Sequence, residues 1–347
     1  MNVDFIIVGQ GIAGTSFAFE LIRNNKSFVI VDKINPNSAS RVALGIYNPL
    51  ILKWFTKAWD VDNQIEYFYD FYNSLNFFLD TKLFYDSGIY KHLKSPYDQN
   101  NWLAKQASGN RLNYMSDKLY SLTNSGILKK ENYGIVNQAG KVNVKLLLDL
   151  FRKYCIKNNI LIDQKLNYND LRINSKSIHY EHVISNNIIF CQGYAGLKNP
   201  FFNNLNLKPT KGEIVTIHSK DLNLKHIIHS GFLLCSINDD DFAIGATYDW
   251  KYINHRVTKI ARKKLVNKLE SIINVDYQII DQVASIRPST TDRRPLIGSH
   301  SKLKNLHILN GLGTRGILLA PYMSKCLVNN IYNGAPIMPE ADVNRYL

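Results

Sequence analysis

Several protein classes are excluded by what this 347-residue sequence has little of. Its four cysteines, Cys155, Cys191, Cys235 and Cys326, lie far apart, with no CxxC pair and no histidine-rich partner segment. Neither a metal site nor a disulfide framework is expected, and the thiols read as buried groups in a reducing cytosol. No apolar run approaches the roughly 20 residues of a membrane span, so a soluble, cytoplasmic protein is expected. The opening MNVDFIIVGQGIAG carries an acid where an export signal carries basic charge, and its apolar run leads straight into glycines. It reads as a first strand. No repeat and no Pro/Ser-rich linker divides the chain. The histidines are isolated, and His229 and His255 read as surface or satisfied polar groups rather than bases.

What is present is ordinary for a globular protein, with 45% hydrophobic and 20% charged residues. The length favours two associated domains with room for a buried cofactor. A net charge of +14 with a pI near 9.4 admits two readings. One is a polyanionic partner such as RNA, drawn by summed positive potential. The other is a compositional bias toward Lys, Asn and Ile, which runs throughout the chain.

From Asp4 to Lys33 the pattern is strand, glycine turn, helix, strand. The aromatic stretch FYDFYNSLNFFLDTKLF predicts a helix against an aromatic-lined surface. In VNVKLLLDLFRKYCIKNN, helical spacing puts Val144, Leu147, Leu148, Phe151 and Cys155 on one face, and ILID follows as a short strand. HVISNNIIFCQGYAG reads as a strand ending in glycine. EIVTIHS, GFLLCSI and FAIGATY read as antiparallel strands, a helix is predicted over 257–273, and DQVASIRPST leads into the last glycine-rich segment.

Gly9, Gly11 and Gly14 form GxGxxG at the predicted strand-to-helix turn, with Asp32 eighteen residues later at the end of the second strand. Missing side chains let backbone amides and the helix N-terminus approach a pyrophosphate, and the acid can accept both ribose hydroxyls while repelling a 2′-phosphate. This motif alone does not separate FAD from NAD.

Three further segments, NSASRVALGIYNP, SIRPSTTDRRPLIG and NGLGTRGILLAP, together with TKGEIV around Gly212 and Glu213, resemble in order the D-amino acid oxidase family of flavoproteins, which includes glycine and sarcosine oxidases. The resemblance covers essentially the whole chain. It implies an α/β fold: a Rossmann-like FAD-binding domain (1–50, 138–210 and 286–347) with an inserted mixed or antiparallel sheet substrate domain (51–137 and 211–285). It implies noncovalent FAD held by Gly9, Gly11, Ile12, Ala13, Gly14, Asp32, Lys33, Ser40, Arg41, Ala43, Gly45, Gly193, Gly311, Gly313, Thr314, Arg315, Gly316 and Ile317, with Ser38 in the same loop. The helix beginning near Ile317 would aim its positive end at the flavin.

Arg287 matches the family's substrate-carboxylate arginine, whose planar fork suits bidentate pairing, and Arg315 matches a second active-site arginine. Phe232 aligns where many members carry a tyrosine, with Tyr248 as a replacement hydroxyl or a packing aromatic. Asp292 and Arg293 are expected to pair in a turn, with Pro295 and Gly298 shaping the loop before a strand. The implied activity is oxidation of an amine or amino acid by hydride transfer to flavin N5, followed by imine hydrolysis. Within the family, IGATYDW and SASRVALGIYNP with LILKWFTKAW are similar to the FAD module of a bacterial tRNA wobble-uridine enzyme that removes carboxymethyl oxidatively, so tRNA stands beside a free amine as partner. Two other classes stay open: an NAD-dependent dehydrogenase, which the C-terminal loop disfavours, and a flavin- or RNA-binding protein without turnover.

Overall fold

The computed structural model describes residues 1–109, 113–123, 126–203 and 205–346. Strand β1 (Asn2–Val8) passes through the glycine turn into helix α1 (Ile12–Arg23) and returns as β2 (Phe28–Val31), parallel to β1 with Phe5 opposite Phe28 and Val8 opposite Val31. The βαβ unit is as expected. β2 is buried throughout and β1 from Phe5 to Val8, because helices or loops cover both sheet faces.

An eight-stranded sheet grows around this unit. Leu161–Ile162 extends it beyond β2, and Val183–Phe190 pairs in parallel with the other side of β1. Leu306–Asn310 then joins Val183–Phe190, and Leu296–Ser299 joins that strand in turn. Parallel neighbours need crossovers, so distant parts of the chain are tied into one sheet.

The short helix α2 (Ala39–Val42) follows β2, and α3 (Val61–Phe78) supplies the aromatic core. Phe68, Phe71 and Tyr72 are fully buried, with Tyr47–Phe68 centroids 4.2 Å apart and Phe68–Tyr72 4.6 Å apart. Each such pair is worth about 0.5–1.5 kcal/mol beyond its buried area. The aromatic helix is shorter than the sequence suggests: Asp80 turns left-handed at φ 48°, and Phe84 belongs to a strand, Phe84–Tyr85. Helix α4 (Pro96–Ala107), capped by Ser95, buries Trp102. Helix α5 (Val144–Lys157), capped by Asn143, buries the five-residue face read from its spacing, and Arg152 with it.

The second sheet has seven strands in the order Gln278–Arg287, Thr210–His218, Asp241–Gly245, Leu233–Ser236, Ile227–His229, Ile89–His92, Tyr133–Val136. Its Thr210–His218, Asp241–Gly245 and Leu233–Ser236 strands are antiparallel as expected. Alternation along each strand decides what its two faces meet. Ile214, Ala243, Cys235, Ile227 and Ile89 face the main core. Val215, Phe242, Ile244, Phe232 and Leu234 face α6 (Lys259–Glu270) through Leu265 and Leu269. Helix α6 begins at Lys259 because Thr258 caps it, accepting from Ala261 N, which trims the predicted span. Helix α7 (Gly316–Asn333) packs on α1 and α3. Among the described residues no helix is long and apolar enough to cross a membrane.

Candidate active site

The glycine turn is shaped by close backbone approach. A Cβ on Gly14 would lie 1.8 Å from the Gly9 carbonyl oxygen, and one on Gly9, at φ +100°, 2.6 Å from the Cys191 oxygen. Gly11 is the N-cap of α1 and has no side chain to close it, so the positive end of the helix is not capped by its own N-cap residue. Ser40 Oγ accepts from Ile12 N at 3.0 Å, which draws the α2 loop over this end.

Asp32 stands at the end of β2 as the ribose reading requires. Its Oδ1 accepts from Gln10 N at 3.0 Å and its Oδ2 from Arg152 Nη1 at 2.9 Å. A carboxylate offers about four lone-pair sites, so two remain for hydroxyls. Arg152, 7% exposed at its side chain, also holds Asp163 at 2.6 Å and Gln10 Oε1 at 3.2 Å. Sequence reasoning missed Arg152. The available signal was a cation four residues after Leu148, on an otherwise apolar helical face.

The neighbouring loop is strapped at several points. Arg41 pairs with Asp149 on α5 at 2.7 Å, and Lys33 makes an exposed pair with Asp163 at 3.5 Å, so both side chains are engaged by protein acids. Ser285 Oγ donates to the Asn37 carbonyl at 2.7 Å. Ala43 ends α2, and Gly45, at φ +73°, sits where a Cβ would meet the Val142 oxygen at 1.9 Å.

A second glycine turn meets the first. Gly311 and Gly313 have left-handed backbone, Thr314 is exposed, and Gly316 opens α7, where a Cβ would lie 3.2 Å from Ile12 Cγ2. The uncapped starts of α1 and α7, the latter at Gly316 and buried Ile317, therefore lie side by side. Gly193 turns the chain after Val183–Phe190, its carbonyl accepting from Asn310 Nδ2 at 2.9 Å. Two positive helix ends, an acid with spare lone pairs and a cradle that side chains would fill suit a dinucleotide.

Arg287 ends the edge strand of the second sheet. Its guanidinium lies flat on Gly212, where a Cβ would come within 2.2 Å of Nη2 and 2.5 Å of Cζ and Nη1. The Tyr248 ring stands 4.7 Å from Cζ, and Nη1 donates to the Thr247 carbonyl at 3.3 Å. Among the described residues no acid pairs with it, although burial lowers its pKa. Arg315 gives Nη1 to the Asn48 carbonyl at 2.7 Å and Nη2 to Leu50 at 2.9 Å, latching the hairpin Leu50–Ile51/Thr56–Lys57 to the start of α7. Burial lowers its pKa to about 10, and the Tyr248 phenol, acting in the opposite sense, is near enough to influence both arginines. Both remain protonated at neutral pH.

Three expectations need correction. Phe232 does not line this site: it is 5% exposed in the cluster under α6, with Lys268 Nζ 5.7 Å from its ring. Alternation puts Leu233 on the Arg287 face instead, a one-residue difference that motif spacing does not resolve. Asp292 pairs with Arg345 at 3.2 Å and accepts from Tyr346 at 2.8 Å rather than pairing with Arg293. The left-handed backbone of Arg293, at φ 59°, belongs to that turn. His229 is not a satisfied polar group: it is half-buried with an unpartnered Nδ1, and burial, with Lys91 nearby, pushes its pKa down to about 3.

Two facing glycine turns beside a sheet that carries a half-buried arginine define a two-domain oxidoreductase built on a dinucleotide cofactor. Residues 4–330 match the family of FAD dependent oxidoreductases, DAO, and the chain belongs to it, with FAD as its cofactor. It is 25% identical over 358 residues to the tRNA 5-methylaminomethyl-2-thiouridine biosynthesis bifunctional protein of Acinetobacter baylyi, covering 95% of this chain and 53% of that protein. The chain spans about half or less of the length of the curated relatives it matches. Its fold is similar to glycine oxidase from Bacillus cereus, with TM-score 0.78 and 19% identity over 96% of each chain. It is also similar to iminodiacetate oxidase from Chelativorans, with TM-score 0.77 and 20% identity over 99% of this chain and 98% of that one.

Proposed function

We propose that the protein oxidises the amine of a glycine-type substrate, namely an N-substituted glycine, glycine or a D-amino acid. The observation that carries this reading is Arg287, a half-buried cation with no acidic partner among the described residues, held between Gly212 and Tyr248. An unpaired buried charge is costly, so a planar carboxylate that supplies two acceptors offsets the cost and is selected. Bound FAD supplies a two-electron oxidant. Arg287 fixes the carboxylate and with it the direction of the Cα hydrogen, Tyr248 packs against the guanidinium, and Arg315 holds the 48–50 segment against the start of α7. The described residues show no dedicated base at this point, and a route governed by position and desolvation needs none. Water then converts the imine into carbonyl and amine products. The cofactor is held noncovalently, through backbone amides and Asp32, so denaturation releases free flavin.

A second reading has the same amine carried on tRNA, as an N-carboxymethylated wobble-uridine arm. Its support is the match over 95% of this chain to a tRNA-modifying bifunctional protein. One experiment tests both: anaerobic loss of the flavin's visible band with glycine, sarcosine, D-amino acids and undermodified tRNA offered separately, with Arg287→Ala as control. Reduction by a free amino acid supports the first reading, and reduction by tRNA alone supports the second. Reduction by none, or reduction that survives Arg287→Ala, overturns the substrate assignment.

A further inference from the structure

The cover over Arg287 continues outward as a stack. Tyr248 lies on the guanidinium, and Trp250 stacks on Tyr248 with centroids 6.1 Å apart and planes at 25°. The outer members are open, with Tyr248 54%, Trp250 59% and Tyr252 66% exposed. From Thr247 to Lys264 the chain carries six cations, Lys251, Arg256, Lys259, Arg262, Lys263 and Lys264, all exposed, against one acid, Asp249. That acid is occupied locally, accepting from Lys251 N at 2.8 Å and Tyr252 N at 3.1 Å.

This segment is held in place by the strand that seats Arg287. Lys211 and Asp249 exchange both backbone hydrogen bonds at 2.9 Å. Lys211 Nζ donates to the Arg256 carbonyl, and Glu213 accepts from Thr258 N at 2.8 Å and Thr258 Oγ1 at 3.0 Å. Lys211 and Glu213, 3.4 Å apart and nearly fully buried, flank Gly212, so the three consecutive residues that seat the arginine also anchor the segment from Asp249 to Thr258. A fixed ladder of exposed rings among cations is the surface that takes unpaired bases: the rings stack on them and the cations follow the phosphates.

We propose that the Tyr248–Trp250 stack is a nucleobase platform, and that the basic surface from Thr247 to Lys264 docks an unpaired stretch of RNA whose glycine-type arm reaches Arg287. This deepens the tRNA reading and rests on it only for the identity of the arm. Docking is measured without turnover, so it is independent of which amine reduces the flavin. The probe is a fluorescein-labelled RNA stem–loop, titrated with FAD-loaded protein and followed by anisotropy, beside the fully duplexed form of the same sequence.

The wild type is expected to prefer the stem–loop. Trp250→Ala is expected to weaken it about 10-fold or more, the range of one missing base stack, while Trp250→Phe restores most of the affinity. The double change Lys259→Gln, Lys263→Gln is expected to lower the log–log salt slope by about 0.7 for each phosphate that no longer meets a cation. As a second readout, 5-bromouridine in the loop is expected to photo-crosslink to the peptide containing residues 248–252. Equal affinity for loop and duplex, equal weakening by Trp250→Ala and Trp250→Phe, or crosslinks confined to other peptides would overturn the proposal. Flavin reduction by free amino acids but not by undermodified tRNA, alongside loop binding through Trp250, would overturn both the tRNA substrate reading and the delivery of an arm to Arg287, and would leave the nucleobase platform standing.

Discussion

Gly212→Ala is the sharpest test of how this chain holds its substrate. The new Cβ would lie 2.2 Å from Arg287 Nη2 and 2.5 Å from Cζ and Nη1. Carbon atoms sit comfortably at about 3.5–4.0 Å, so the guanidinium must withdraw by about 1 Å. A misplacement of that size can cost about 100-fold in rate. A second estimate agrees: one hydrogen bond to a charged group is worth about 1.5–3 kcal/mol, and each 1.4 kcal/mol is about tenfold. Arg287→Ala removes both of the bonds proposed to the substrate carboxylate and is expected to cost more than Gly212→Ala. Stability should hardly move, because Gly212 does not have positive φ and an alanine there restricts the unfolded chain by about 0.4–1 kcal/mol. The assay is the anaerobic rate of flavin reduction at varied amino acid concentration, with cofactor content and melting temperature measured on the same preparations. A near-wild-type rate in Gly212→Ala would refute the seating of Arg287 on Gly212. Loss of FAD in place of slowed reduction would move Gly212 into the cofactor cradle.

Three further outcomes follow from the geometry. Arg152→Leu leaves Asp32 and Asp163 facing each other without their shared cation, and is expected to weaken FAD retention and cost roughly 1–3 kcal/mol of stability; FAD titration with unchanged affinity would contradict this. Gly14→Ala places a Cβ 1.8 Å from the Gly9 oxygen, so α1 must move off β1 and the purified protein should carry little flavin; a fully loaded, yellow variant would show that the turn is more pliant than its close packing implies. His307, 2% exposed between Ser299 and Asn187, is held down to a pKa of about 3 by burial. The unfolded state therefore binds its proton first as pH falls. Stability from the neutral ring is full above about pH 6.5 and declines toward pH 3, by at most about 1.4 kcal/mol per pH unit. Denaturant unfolding at pH 7 and pH 5 should show a smaller loss in His307→Gln, and equal slopes would remove His307 as the source.

The local elements were legible because each rests on neighbours in sequence. The first βαβ unit, the apolar face of α5 and the antiparallel strands follow from period and glycine placement, and family resemblance supplied FAD and the candidate role of Arg287. Partnership across the fold was not legible. Nothing in the sequence joins Arg152 to Asp32, Asp292 to Arg345 or Gly212 to Arg287, since each pair is separated by tens of residues and meets only when sheets assemble.

Phe232 shows the limit at finer scale: a strand's side chains alternate, so a one-residue uncertainty in alignment exchanges the Arg287 face for the α6 face. The sequence by itself determined the βαβ glycine turn, because GxGxxG constrains backbone whatever surrounds it. The tertiary structure alone decided that Arg287, under Tyr248, has no acidic partner among the described residues while Arg315 is consumed by two carbonyls. One ends a strand and the other sits in a glycine turn, and only the packing around each determines which hydrogen-bond donors remain free.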